Sequence, residues 1–139
     1  MVSKDLLILL VDDSKADIAL LSRQLKKRFN VSILVAHDGA EAIQILNNEE
    51  SSLPHFVILD LNMPSKDGRE VLAEMKLSER MRTIPVVIMT TSEDPADIEK
   101  AYKFGANAYI NKPSGDESYE QLADSILDFW AKRVLFYRP

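Results

Sequence analysis

The chain has 139 residues, of which 46% are hydrophobic and 28% charged, with a formal net charge of −5. That describes one domain of ordinary size with enough apolar material for a core, and its acidic balance argues against nucleic-acid binding, which needs a basic face. No apolar run approaches the ~20 residues of a membrane span. The absence of cysteine excludes disulfides, thiolate metal sites and cysteine nucleophiles; with no basic-then-apolar leader, a cytoplasmic location is expected.

Residues 6–11 form a continuous apolar run, as in a strand buried on both faces, and the run ends in Asp12-Asp13. Ser14 is placed to cap a helix. The apolar positions Ile18, Leu21, Leu25 and Phe29 recur at helical spacing, with Lys26, Lys27 and Arg28 in the last turn. Residues 31–35 read as a second strand, Asp38-Gly39 as a turn, and 40–46 as a helix with Ala42, Ile43 and Leu46 inward. The polar segment 47–54 is a loop. Between Pro54 and Pro64 lies a short apolar run, 56–59, that ends on Asp60 and reads as a buried strand. Its following loop is closed by Pro64 and Gly68, and Val71, Leu72 and Met75 mark a third helix.

Residues 84–90 repeat the pattern of an apolar strand ending in a polar residue, with Pro85 at its start, where no ladder donor is needed. Pro95 suits the first turn of a fourth helix, which carries Ile98, Ala101 and Tyr102 and stops at Gly105. Residues 108–111 are a fifth strand, followed by Lys112-Pro113, a loop, and a last helix from about 119 to about 134. Strand and helix alternate five times, which implies a parallel sheet covered by helices on both faces. The glycine fingerprints of dinucleotide and nucleoside triphosphate sites are missing, since Asp12-Asp13-Ser14 follows the first strand.

In a parallel sheet the carboxyl ends of the strands share one edge, where ligands bind. Four of those ends carry Asp12 and Asp13, Asp60, Thr90 and Thr91, and Lys112. Taken singly, each has an ordinary role as a cap, turn opener, strand-end hydroxyl or solvated cation. Their coincidence argues for a site. Clustered carboxylates repel unless a cation intervenes, and a hard divalent ion such as Mg²⁺ (or Mn²⁺) suits oxygen ligands. Lys112 and Thr90 could then hold phosphoryl oxygens around an Asp nucleophile.

The set Leu10-Val-Asp12-Asp13-Ser14, Ile58-Leu-Asp60-Leu-Asn62-Met63-Pro64 with Gly68, Pro85-Val-Val-Ile-Met-Thr90-Thr91 and Asn111-Lys112-Pro113 resembles the receiver domain of two-component response regulators. The match covers about residues 5–128. It implies a doubly wound flavodoxin-like (CheY-like) fold with five parallel strands in the order 2-1-3-4-5 and five helices; an extended C-terminal helix and aromatic tail over about 129–139 depart from that pattern. By the same resemblance Asp60 is the phosphoacceptor, served by a sensor histidine kinase. Asp12, Asp13, Asp60 and the backbone carbonyl of Asn62 hold the metal, Lys112 contacts the phosphoryl group, and Thr90 moves toward it. Tyr109 takes the place of the aromatic switch, its ordinary reading being a half-buried strand aromatic.

Two rival readings are a phosphate-independent dimerisation module and a small Mg²⁺-dependent phosphatase. The second needs a carboxyl group two residues after the nucleophile, where this chain has Asn62. The last helix carries two adjacent apolar stripes, wider than one core face needs, and the tail adds Leu135-Phe136-Tyr137-Arg138-Pro139. Phe129, Trp130, Phe136 and Tyr137 are therefore the expected contacts of a homodimer or partner; the alternative is that these rings fold over the protein's own core. The ending Asp128-Phe129-Trp130 and the segment 67–74 resemble the small single-domain regulators paired with bacterial and cyanobacterial phytochromes. Lys112-Pro113-Ser114-Gly115 lacks the aromatic often found after that proline. The expectation is a stand-alone regulator with no DNA-binding output domain, signalling by protein contact or onward phosphotransfer.

Overall fold

The computed structural model describes residues 5–28, 30–63, 66–114 and 116–138. Phe29, Pro64, Gly115 and Pro139, named above, lie outside the described residues. The order is β1 (Asp5–Val11), α1 (Lys15–Lys26), β2 (Asn30–Ala36), α2 (Gly39–Asn47), β3 (Phe56–Leu59), α3 (Gly68–Leu77), β4 (Val86–Thr90), α4 (Pro95–Lys103), β5 (Ala108–Asn111) and α5 (Tyr119–Trp130). All strand pairs are parallel, in the order β2-β1-β3-β4-β5. The alternation expected from the sequence is the alternation found.

Side chains alternate across a pleated sheet, and the two faces build two cores. Leu9, Val11, Val57, Leu59, Val86 and Ile88 pack with buried residues of α2, α3 and α4. Leu6, Ile8, Leu10, Phe56, Ile58 and Val87 pack against Leu21 and Leu25 of α1 and Ala123, Ile126 and Leu127 of α5. β3 is buried on both faces at every residue, which is why it lacks any polar alternation.

Asp residues at helix entrances fix several starts. Asp38 is the N-cap of α2 rather than part of a free turn, its side chain accepting the Glu41 N–H at 2.8 Å. Asp67 and Asp94 cap α3 and α4 in the same way. Gly105 follows α4 with φ +106°, a conformation that a side chain disfavours. Of the apolar positions of α4, Ala101 is buried and Tyr102 is 49% exposed.

The largest departure is at the end. α5 closes at Trp130, so it is as long as α1, 12 residues, and no extended helix is present among the described residues. The Arg133 and Val134 N–H groups both turn back to the Phe129 carbonyl, at 2.9 and 3.1 Å. From there the tail folds onto the start of β3. The cause is burial: the Phe136 ring finds Phe56, centroids 6.1 Å apart and planes 4° from parallel.

Candidate functional site

The buried polar or charged side chains among the described residues are Asp12, Asp60 and Thr90, at 2%, 4% and 0% exposure. All stand at the carboxyl ends of their strands, and the sheet register brings them together. The Asp60 N–H bonds to the Val11 carbonyl (2.9 Å), the Asp12 N–H to Ala36 (3.1 Å) and the Lys112 N–H to Thr90 (2.9 Å). Gly68 explains how the chain leaves this edge. A Cβ there would collide with the Asp60 carbonyl, so only glycine lets α3 start so close to the strand end.

Oxygens of Asp12, Asp13 and Asp60 all lie within 4.8 Å of one another, with Asp13 the exposed member. The Asp12 Oδ1 accepts the Ser14 N–H at 2.9 Å. Its Oδ2 is buried without a hydrogen bond, although the Lys112 ammonium stands 2.9 Å away, off the hydrogen-bonding direction. A buried carboxylate oxygen left in that state is costly. Three carboxylates at such separation fit a hard divalent cation with oxygen ligands. Burial drives the Asp60 carboxyl up to about 6; the Lys112 charge opposes this and the Asp12 charge adds to it.

Lys112 lies at the centre of the cluster, its side chain only 10% exposed. Its Nζ is 2.9 Å from Asp12 Oδ2, 2.9 Å from Asp17 Oδ2 and 3.6 Å from Asp60 Oδ2. Burial pulls this ammonium toward the neutral form, but the close Asp12 carboxylate, the hydrogen bond to Asp17 and the charge of Asp60 outweigh it, and its pKa rises. Asp17 also interacts with the hydroxyl of Tyr119, the first residue of α5. Its carboxyl sits below the ordinary range: burial pushes it up, and the bonds from Lys112 and Tyr119 overcome that.

Thr90 joins the acidic cluster to the loop before α4. Its hydroxyl oxygen accepts from the Asn62 amide and from the Ser92 N–H, both at 3.4 Å. The Ser92 hydroxyl donates to Asp97 at 2.6 Å, and Asp97 pairs with Arg69 of α3 at 2.8 Å. The Tyr109 hydroxyl donates to the Ser92 carbonyl at 2.9 Å, and its ring packs partly buried against the core under α2, α3 and α4. The structure thus gathers Asp12, Asp13, Asp60, Asn62, Thr90, Tyr109 and Lys112 in one region; Thr91 is exposed.

Sequence reasoning missed Asp17, Arg69, Ser92 and Asp97. Asp17 sits in the first turn of α1, where an acid reads as an ordinary partner of the helix dipole. Nothing local ties it to Lys112, 95 positions later. The aromatic tail lies apart from this site, at the opposite end of β3. Trp130 stacks on Phe56 at 5.0 Å, Phe136 packs against Phe56 and His55, and Arg138 donates to the Leu53 carbonyl at 2.9 Å. Phe129 and Tyr137 remain 57% and 67% exposed. The four expected interface residues therefore divide into two that cover the protein's own core and two that face outward.

A parallel sheet of this order, with an acidic cluster, a buried threonine and a lysine at its carboxyl edge, defines a CheY-like signalling domain. The profile of the response regulator receiver domain matches residues 8–124, and the chain belongs to that family. It is 38% identical over 132 residues to response regulator Rcp1 of Synechocystis sp. (strain ATCC 27184 / PCC 6803 / Kazusa), covering 91% of this chain and 90% of Rcp1. The Mn²⁺-bound form of Rcp1 superposes with a TM-score of 0.88 at 36% identity, over 95% of this chain and 99% of that one. The phosphorylated cyanobacterial phytochrome response regulator RcpA gives a TM-score of 0.91 at 35% identity, over 97% of this chain and all (100%) of RcpA. The probable methanogenesis regulatory protein FilR2 of Methanothrix harundinacea (strain 6Ac) is 39% identical over 128 residues, 89% of this chain and 83% of FilR2. No helix among the described residues is long and apolar enough to cross a membrane.

Proposed function

We propose that Asp60 accepts a phosphoryl group from a phosphohistidine of a sensor kinase and that the chain signals through the resulting movement. The observation that carries this reading is the buried Asp60 carboxylate grouped with two other carboxylates and with an ammonium 3.6 Å away. An Asp60 oxygen attacks phosphorus, the P–N bond to the donor imidazole breaks, and the departing nitrogen keeps the bonding pair and takes up a proton. Asp12, Asp13, Asp60 and the Asn62 carbonyl would hold Mg²⁺ or Mn²⁺, which when bound offsets the charge gathering on the phosphoryl oxygens. Lys112 pairs with one of those oxygens, and the Thr90 hydroxyl donates to another.

The product adds roughly −1.5 to −2 charge and three acceptor oxygens. Drawing Thr90 toward them moves the Ser92 loop, to which Tyr109 is tied through its hydroxyl, so the ring position reports the state of Asp60. The likeness to RcpA, a cyanobacterial phytochrome response regulator, supports a phytochrome-type kinase as donor. Outward-facing Phe129, Leu135 and Tyr137 support a homodimer contact in this region, with Trp130 and Phe136 as its backing.

Incubation with acetyl phosphate and Mg²⁺, followed by intact-mass measurement, tests the chemistry. One phosphoryl group adds about 80 Da, and the addition is expected to vanish in Asp60→Asn. Unchanged mass in the parent chain would favour a phosphate-independent module, and persistent phosphate release would favour a phosphatase.

A further inference from the structure

Asp17 has no part in the chemistry just described, yet it competes for that chemistry's cation. We infer that Asp17 is a positioning residue that holds the Lys112 ammonium short of Asp60 until charge builds up there, and that Tyr119 passes the release to α5. The inference rests on the phosphoacceptor reading of Asp60.

Three distances carry it. Lys112 Nζ is 2.9 Å from Asp17, 2.9 Å from Asp12 and 3.6 Å from Asp60. The ammonium is therefore placed by Asp12 and by Asp17 of α1 together, nearer to both than to the residue it is needed to serve. Asp17 is held rigidly enough to do this, because its N–H bonds to the Ser14 cap at 3.2 Å and its backbone is in the first helical turn. Its side chain is 28% exposed, so the pair is weak enough to be outbid by a phosphoryl group, which offers more charge in a better-buried place.

The loss of Lys112 leaves Asp17 with a changed set of partners. Tyr119, whose hydroxyl interacts with Asp17, is the first residue of α5, directly after its N-cap Ser118. α5 packs beside α1 in one core. Removing the ammonium strengthens the demand of Asp17 on the tyrosine hydroxyl and draws on the first turn of α5. Among the described residues this route shares no side-chain contact with the one through Thr90, Ser92 and Tyr109.

The test is binding of beryllofluoride, an acyl-phosphate mimic, to the Mg²⁺-loaded protein, followed by amide NMR at Thr90 and at residues 119–122. The parent chain is expected to bind, with shifts at both places. Asp17→Asn is expected to bind roughly three- to tenfold tighter, the scale of one partly exposed ion pair, and to keep the Thr90 shift while losing the response of α5. Asp17→Glu, which retains the charge, is expected to return affinity toward the parent value. Should Asp17→Asn fail to fold, Tyr119→Phe reads the same link: affinity is kept and the α5 response disappears. Binding unchanged or weakened in Asp17→Asn, or a full α5 response in Tyr119→Phe, overturns the inference alone. A parent chain that binds no beryllofluoride overturns it together with the phosphoacceptor reading.

Discussion

Asp60 shows what the site costs before any ligand arrives. Its carboxyl is raised to about 6, chiefly by burial, against a value near 3.8 in the unfolded chain. The sign follows directly. Between those two values the folded protein holds the proton and the unfolded chain has lost it, so metal-free stability falls as pH rises from about 4 to about 6 and then levels off. Asp60→Asn removes the burden: the variant is expected to be more stable than the parent by about 1–3 kcal/mol at pH 7 and indistinguishable at pH 3.5. Chelator-treated samples in urea melts at the two pH values check this. Mg²⁺ is expected to raise the melting temperature of the parent chain and to have much less effect on Asp60→Asn, because an ion bound only by the fold stabilises it by mass action.

Among the elements, the strand ends were legible and the contacts between distant elements were not. Apolar runs ending on Asp12, Asp60 and Thr90 located the acidic edge because a strand buried on both faces leaves no room for alternation. Helices α1, α2 and α3 were legible through their buried positions at three- and four-residue spacing. Arg69, Ser92 and Asp97 form one network across α3, α4 and the loop between β4 and α4, and no local pattern marks residues that meet only in three dimensions. The tail fails for the same reason. The apolar periodicity of α5 continues past Trp130, but the helix ends there and Phe136 stacks on Phe56, 80 positions earlier. Phe136→Ala is accordingly expected to cost about 1–3 kcal/mol in denaturant unfolding, less than a fully buried phenylalanine, whereas Tyr137→Ala, on an exposed ring, is expected to change stability by less than ~0.5 kcal/mol.

For the whole molecule, the sheet separates two kinds of surface. The carboxyl edge carries the acidic cluster with Lys112. The opposite end of β3 is roofed by Trp130 and Phe136, with Phe129, Leu135 and Tyr137 facing outward beyond them. An association surface placed there would lie at the opposite end of β3 from Asp60. Sedimentation velocity over a concentration series is expected to show a dimer that weakens at least tenfold in the Phe129→Ala/Tyr137→Ala double variant, as for aromatic anchors at other interfaces. A monomer at every concentration, or a dimer indifferent to both changes, would exclude these rings as the contact.

Trp130 is the chain's single tryptophan, and its indole lies face to face with Phe56 where α5 ends. A helix of 12 residues spans about 18 Å, from the tyrosine beside the acidic cluster to this indole. The protein thus carries its own optical gauge: any sliding of the helix re-seats the indole on its phenylalanine neighbour and changes its emission. If phosphorylation of Asp60 moves α5 as inferred, the emission of this lone indole is expected to change with it, with no label attached.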